Sequence, residues 1–252
     1  MKKYILTLIL ALASLGLYAQ TNRNKTIINA ALHGWEYEIK AGVNLGGTAP
    51  LPFPEEIRSI DGYNPTLSIT IEGNMTKWLD TKKKWGIITG LRLENKGMRT
   101  KATVKNYNME IIGYDGNRLK GNWTGGVRTK VQNSYITIPV LAAYKLSPRT
   151  TLKLGPYFSY LMDGDFSGHV YEGYLRETNP TGDKINFTNG AIATYDFSGD
   201  LRKFQWGVQA GVDWKAFKHL KVHADLNWGL NDIFNKDFKT VTFDMKSLLN
   251  IS

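Results

Sequence analysis

The sequence predicts an all-β fold, an eight-stranded antiparallel up-and-down transmembrane β-barrel whose last strand is short. Three observations lead to this prediction. Apolar and polar residues alternate with a period of two through most of the chain after residue 34, as in strands with two different faces. The connections alternate between short and long, which is typical of barrels with short periplasmic turns and longer external loops. An export signal opens the chain, and no later stretch resembles a transmembrane helix.

The first residues have the pattern of a cleaved signal peptide. Lys2 and Lys3 precede an apolar stretch from Ile5 to Tyr18, and Ala19 is the small residue before the predicted cut. The apolar stretch is shorter than the roughly 20 residues that a helical span needs. We therefore predict a signal peptide at 1–19, a short N-terminal periplasmic segment at 20–33 and an outer-membrane barrel at 34–252. The chain has no cysteine, which excludes a disulfide framework and a cysteine-linked lipid anchor.

Seven strands have a clear apolar face, and the segment 242–252 begins a short eighth strand. Pro139 and Pro156 are interpreted as local bulges, because proline gives no ladder hydrogen bond. In chain order the seven apolar faces are Trp35, Tyr37, Ile39, Ala41, Val43 and Leu45; Leu67, Ile69 and Ile71; Trp85, Ile87, Leu91 and Leu93; Ile136, Ile138, Val140, Ala142 and Tyr144; Leu152, Leu154, Phe158 and Tyr160; Phe204, Trp206, Val208, Ala210, Val212 and Trp214; and Leu220, Val222, Ala224, Leu226 and Trp228.

The direction of these faces follows from the charged residues opposite them. The opposite faces carry many acidic and basic side chains, which cannot line the dry core of a soluble barrel. Together with the export signal and the loop pattern, this favours an apolar face toward lipid and a lumen filled with paired charges. Aromatic residues are expected in two girdles, with Trp35, Trp85, Tyr144 and Trp214 at the periplasmic rim and Trp206, Trp228 and Tyr160 at the external rim.

The long connections are predicted at 47–65, 97–130 and 164–202, and two of them carry opposite charge. The stretch from Lys96 to Lys130 has eight basic and two acidic residues, and the stretch from Gly164 to Arg202 has three basic and six acidic residues. We hypothesise that the basic loop binds lipopolysaccharide phosphates through Lys101, Lys105, Arg118 and Lys120, with part of its charge paired to the acidic loop. Two solvated loops without a partner remain an equally open alternative. Nucleic acid is not an expected partner, because an exported protein seldom meets it.

The residues favour a non-enzymatic protein without a cofactor or a metal. His223 and Asp225 share one face and could activate Ser159 in a lipid-modifying enzyme, but a salt-bridge network around Lys221 explains them more simply. Asp163, Asp165, His169 and Glu172 match no known metal-binding spacing. A small-solute conduit is a third option, against which the crowded, charged lumen argues.

Three stretches resemble the PorT-like outer-membrane β-barrel family of Gram-negative bacteria. They are GLRLENKGMR, NSYITIPVLAAYKLSPRTTLKLGPYFSYLMDGDFSG and DLNWGLNDIFN. The matching residues are Tyr135, Pro139, Gly155, Pro156, Tyr157, Gly229, Leu230, Asp232 and Ile233. The resemblance implies an outer-membrane location and a surface or structural role, such as adhesion or support of secretion or envelope assembly with an unidentified protein partner. It also implies an eighth strand ending in an aromatic residue, whereas this chain ends at Ser252.

Overall fold

A computed structural model describes residues 33–50, 54–113, 116–238, 245–247 and 250–251. The predicted signal peptide (1–19) and all but the last residue of the predicted N-terminal segment (20–33) lie outside the described residues. Within them, no helix is long and apolar enough to cross a membrane.

The described chain is built from antiparallel strands with one short 3-10 helix at Ser198–Asp200. The strands are β1 (Trp35–Asn44), β2 (Thr48–Pro50), β3 (Ile57–Thr66), β4 (Ser68–Trp78), β5 (Trp85–Ile112), β6 (Arg118–Lys145), β7 (Thr150–Glu177), β8 (Lys184–Asp196), β9 (Phe204–Lys215), β10 (Lys221–Gly229), β11 (Met245–Ser247) and β12 (Asn250–Ile251).

The main sheet has ten strands among the described residues, not the eight predicted. Eight follow one another in the order β1-β4-β5-β6-β7-β9-β10-β12, and the additional two are β3, which pairs with β5, and β8, which pairs with β5 and β7. The extra pairing follows from strand length, because β5, β6 and β7 each run for 28 residues. At about 3.3 Å per residue such a strand spans roughly 90 Å, about three times the hydrocarbon core of a bilayer.

The predicted long loop at 47–65 contains β2 and all but the last residue of β3. The prediction of long loops at 97–130 and 164–202 is also wrong over most of their length. Both regions continue the ladders of the three long strands, with register shifts at Val104/Tyr107 and Gly125/Gly126. We call the strand segments next to the short turns the turn half: β1, β4, β9, β10, and residues 85–96, 133–145 and 150–161. The distal half comprises β3, β8, and residues 97–112, 118–132 and 162–177.

In the turn half the predicted orientation is confirmed, because apolar side chains point outward and polar side chains point inward. Ile39 is 86% exposed and Ile69 is 66% exposed, whereas Lys40, Glu72 and Arg92 are buried. Among the described residues, four basic and four acidic side chains that are buried or nearly buried in this interior are joined as ion pairs. They are Lys40, Arg92, Lys96 and Lys153, with Glu72, Glu94, Asp213 and Asp225.

In the distal half the same strands reverse their polarity. The inward face becomes apolar and forms a core that includes Met98, Met109, Trp123, Val170 and Phe187, while charged residues move to the outside. Aromatic side chains extend this core toward residues 231–238, where Phe234 packs edge-on against Phe166 at 4.9 Å between ring centroids. The distal half is thus built like a soluble β-domain on top of a sheet with the opposite polarity.

The strand register places the predicted girdle aromatics in two bands. Near the short turns, Trp85 lies opposite Tyr144 with ring centroids 4.5 Å apart. Eight residues along β9 from Trp214, Trp206 lies opposite Phe158. Pro139 and Pro156 do not form the expected bulges, because the β6–β7 and β7–β9 ladders keep one register on both sides of them.

The sheet curls until side chains of β1 and β10, which lie near its two ends, meet across the interior. Lys221 of β10 contacts Glu36 at 2.8 Å and Glu38 at 3.1 Å, both on β1. The eighth strand of the path, β12, pairs with β10 at Leu226 and Asn227. Of the segment predicted as the last strand (242–252), residues 242–244, 248–249 and 252 lie outside the described part of the chain.

Candidate anion-binding site

The distal half carries a cleft of about 940 Å³, whose lining combines exposed cationic side chains with the buried Tyr195. The cleft is lined by all five strands of this half, β3, β5, β6, β7 and β8. Its cationic residues come from two identical tripeptides, Arg99-Thr100-Lys101 on β5 and Arg128-Thr129-Lys130 on β6. Because side chains alternate along a strand, both members of each cationic pair face the same side.

The two Arg-Thr-Lys tripeptides lie directly opposite each other in the antiparallel ladder. Arg99 pairs with Lys130, Thr100 with Thr129, and Lys101 with Arg128. Directly opposed residues have Cβ atoms about 5 Å apart, and like charges in such positions destabilise a sheet. We call the four residues Arg99, Lys101, Arg128 and Lys130 the cationic tetrad. The tetrad therefore places four positive charges in opposed positions, where their mutual repulsion destabilises the sheet.

Only part of this charge is neutralised by the protein. Lys130 donates to Asp165 at 2.6 Å, and the Arg128 guanidinium lies 5.3 Å from the centre of the Tyr171 ring. Among the residues that the structure describes, Arg99 and Lys101 have no ion pair. An anion with oxygen acceptors would supply the missing countercharge and accept hydrogen bonds from both tripeptides.

The acidic residues at the edge of the cleft are occupied by other partners. Asp61 accepts hydrogen bonds from Ser59 at 2.6 Å and Thr103 at 2.7 Å, which lower its pKa. Burial alone would raise the pKa of Asp165, but the hydrogen bonds from Lys130 and Ser167 outweigh it and lower this pKa. Both carboxylates are therefore ionised at neutral pH, and neither forms an ion pair with Arg99 or Lys101.

His169 lies in the same row of the cleft on β7, opposite Arg128. Burial and the nearby Arg128 charge lower the pKa of His169, so the imidazole is neutral at neutral pH. Behind this row, Tyr195 hydrogen-bonds the Arg128 carbonyl at 2.9 Å and the Thr129 hydroxyl at 2.7 Å. These two bonds fix the β6 tripeptide in place and tie the site to the distal core.

Of the four residues predicted to bind lipopolysaccharide, the structure brings only Lys101 into the cleft. Lys105 and Lys120 are exposed outside it, and Arg118 pairs with Glu110 at 2.8 Å. The predicted pairing with the acidic stretch is seen at Lys130–Asp165. Arg99, Arg128 and Lys130 contribute to the positive charge of residues 96–130 but are not among the four predicted ligands. The signal was the repeated Arg-Thr-Lys within alternating stretches, MRTKATVK and VRTKVQN.

The structure does not assemble the catalytic group considered for a lipid-modifying enzyme. His223 pairs with Asp213, which pairs with Thr151, whereas Ser159 lies eight residues farther along β7, roughly 26 Å away at 3.3 Å per residue. Ser159 instead lies 2.7 Å from the Thr137 hydroxyl, and Asp225 lies 2.8 Å from the Lys153 ammonium.

No metal centre is found in the described chain, where no cluster of three or more His, Asp or Glu residues could hold an ion. Of the loop residues considered for a cation, Asp165 pairs with Lys130 and His169 faces Arg128. Both neighbours are cations, which disfavours a metal ion at this position.

Comparisons with known proteins support the barrel interpretation at the family level. The sequence profile of a family described as outer membrane protein beta-barrel domain matches residues 18–235. No curated protein and no solved structure matches the chain.

Proposed function

The chain belongs to the outer membrane protein β-barrel domain family, and from this premise we propose that it is a non-enzymatic surface protein that binds the anionic groups of lipopolysaccharide. The turn half is the membrane anchor, and its path of eight strands runs from β1 to β12, which pairs with β10. The distal half projects outside the cell as a rigid β-extension. The observation that carries the proposal is the cationic tetrad, whose repulsion an external anion would relieve.

The position of the tetrad relative to the aromatic bands supports this ligand. Leu93 lies on the outward face opposite Ile136, which lies opposite Tyr160 of the external band. Arg99 lies six residues beyond Leu93, roughly 20 Å along the strand and about 15 Å along the membrane normal at a tilt of about 40°. Phosphate and carboxylate groups of the lipopolysaccharide core lie in this zone, outside the hydrocarbon.

The resemblance to PorT-like barrels supports a wider role in adhesion, or as an accessory to secretion or envelope assembly with a protein partner. The lipid-modifying alternative loses support, because His223 and Ser159 lie far apart in the register and Asp225 is paired with Lys153. A solute conduit is likewise disfavoured, since buried ion pairs cross the interior of the turn half.

The test compares two double variants with the same change in charge. Lys101→Gln/Arg128→Gln removes one row of the tetrad, and Lys105→Gln/Lys120→Gln removes two exposed cations outside the cleft. A charge-assisted hydrogen bond contributes about 1.5 to 3 kcal/mol, so we expect the cleft variant to bind lipopolysaccharide at least about tenfold more weakly.

Binding is measured with the folded protein in detergent by thermophoresis, with dephosphorylated lipopolysaccharide as the second ligand. The proposal predicts that the control variant binds like the wild type and that dephosphorylation weakens binding by the wild type. Equal weakening in both variants would mean that general charge attracts the ligand, and unchanged binding in the cleft variant would overturn the proposal.

A further inference from the structure

The short turns at the opposite end of the sheet carry a second cationic surface. It comprises Lys82, Lys83 and Lys84 between β4 and β5, Arg149 between β6 and β7, and Lys215 and Lys218 at the β9–β10 turn. We call these six residues the turn collar. Among the described residues, none of their side chains takes part in an ion pair.

The acidic residues at this end neutralise the turn collar only in part. The Asp80 carboxylate accepts hydrogen bonds from the backbone N–H groups of Lys84 at 2.7 Å and Trp85 at 2.9 Å, which closes the turn. Glu36 and Glu38 both bind the Lys221 ammonium inside the sheet. The collar therefore keeps an excess of positive charge. Its Lys82, Lys84 and Lys218 side chains are exposed, whereas Arg149 and Lys215 line a small cavity at the mouth of the interior with Glu36 and Asp213.

Each of the three turns also presents an exposed apolar residue beside its cations. Leu79 is 63% exposed, Leu146 is 61% exposed and Phe217 is 71% exposed. A side chain of this kind gains free energy when it enters the boundary between headgroups and acyl chains. A soluble anion would leave all three apolar side chains in water.

Cations near the turns are held against aromatic rings of the adjacent band. The Lys77 ammonium lies 5.0 Å from the centre of the Trp35 ring, and the Lys84 ammonium lies 5.6 Å from the centre of the Tyr144 ring. Trp and Tyr residues of barrel girdles lie at the headgroup level. The rings therefore place these ammonium groups at the height of lipid phosphates.

We propose that the turn collar binds the phosphodiester headgroups of anionic phospholipids in the periplasmic leaflet. Each turn contributes one apolar anchor and at least one cation, so three lipid-binding corners surround the end of the barrel. The inference rests on the proposed membrane orientation of the barrel but does not depend on the cationic tetrad or on lipopolysaccharide. It assigns the two ends of the molecule to two different anionic lipids.

The test uses the full chain folded into nanodiscs that contain equal amounts of phosphatidylcholine and phosphatidylglycerol. Lipids that remain bound after transfer to mild detergent are counted by native mass spectrometry. The collar variant is Lys82→Gln/Lys83→Gln/Lys84→Gln, and the matched control is Lys105→Gln/Lys120→Gln/Lys184→Gln, which removes three exposed cations from the distal half outside the cleft. Folding of each variant is checked by the difference in gel mobility between unboiled and boiled samples.

We expect the wild type and the control to retain phosphatidylglycerol in preference to phosphatidylcholine. A basic residue near an anionic surface contributes roughly a fivefold preference, so the collar variant should lose at least about fivefold of this enrichment. An unchanged ratio in the folded collar variant, or no enrichment in the wild type, would overturn the inference. Loss of lipopolysaccharide binding alone would leave it standing, because that outcome concerns the other end of the molecule.

Discussion

Lys153 is predicted to be a central ionic contact of the turn half, and replacing it tests whether the interior is a charge-balanced network. Its side chain is fully buried and its ammonium lies 2.6 Å from Asp213 and 2.8 Å from Asp225. In Lys153→Met, Asp213 keeps Lys40 at 3.3 Å, but Asp225 keeps no ion pair within the described chain. Removing one partner of a buried pair destabilises a protein by about 3 to 5 kcal/mol, so we expect a loss of this size.

The second variant follows from the same contacts. Lys153→Met/Asp225→Asn removes one charge of each sign and leaves Asp213 paired with Lys40. This double variant should recover most of the lost stability. Lys221→Met is the matched control, because its side chain is 30% exposed and its partner Glu36 is 40% exposed. For such a solvated pair we expect a loss of no more than about 1 kcal/mol.

Stability is measured by urea unfolding of the folded protein in detergent, followed by tryptophan fluorescence and by the gel-mobility shift. The network account is refuted if Lys153→Met costs no more than Lys221→Met. It is also refuted if the double variant is as unstable as Lys153→Met alone, since the unpaired Asp225 would then not be the cause.

Three further predictions address the outer surface and the distal half. Leu91→Arg places a charge midway between the aromatic bands, in register with Gly73 and Ile39, and should destabilise the membrane-inserted barrel by about 2 to 4 kcal/mol. The control Ile192→Arg, at a similarly exposed distal residue, should change the free energy of unfolding by less than about 0.5 kcal/mol. Equal losses of stability in a vesicle-based unfolding titration would exclude a lipid-facing Leu91. Gly168→Ala introduces a methyl group against the Arg128 carbonyl and the Tyr195 ring, so limited proteolysis should cleave the distal half faster while the turn half stays protected. The control Gly199→Ala, which has open space around it, should behave like the wild type. Protection of both halves in Gly168→Ala would contradict this packing. Burial and the Arg128 charge lower the pKa of His169, so an anion bound in the cleft should raise this pKa toward its ordinary value. The ligand should therefore bind more tightly as pH falls through the bound-state pKa. An NMR titration of His169 with and without lipopolysaccharide checks the direction of the shift, and an unchanged His169 pKa would place the anion elsewhere.

The turn half was predictable because its two faces differ strongly in polarity. Alternation at Trp35–Asn44 and Phe204–Lys215 identified the strands, and the buried Lys40 and Asp213 confirm which face points inward. The short turns follow from the same pattern, because each ends one alternating stretch and begins another. The family match agrees with this part of the prediction.

The distal half was missed because its strands reverse their polarity and contain irregularities. On β5 the inward residues of the turn half are charged, as at Arg92 and Glu94. In the distal half they are apolar, as at Met98, Val104 and Met109, so the alternation expected of a lipid-facing strand ends. Register shifts near Val104/Tyr107 and Gly125/Gly126 then interrupt the period of two. Residues 97–130 and 164–202 were therefore predicted to be loops, although most of them lie in strands.

The cationic tetrad could be predicted only in part. The composition of residues 96–130 showed the excess of positive charge, and Lys101, one of the four residues selected, lines the cleft. Which cations meet depends on the β5–β6 register, and this register is fixed by a hairpin whose strands were not recognised. The distinction between Lys101 inside the cleft and Lys105 outside it required the three-dimensional structure.

The reversal of polarity along β5 is the central claim, and labelling single cysteines tests it most directly. The natural chain has no cysteine, so Leu91→Cys and Lys101→Cys each give one spin-labelling site on the outward face of the same strand. In vesicles, the account predicts that the label at 91 is relaxed by oxygen and shielded from a water-soluble nickel reagent, while the label at 101 shows the reverse. A label at 91 that is open to the nickel reagent would contradict the lipid-facing orientation, and a label at 101 shielded in the bilayer would contradict the external extension.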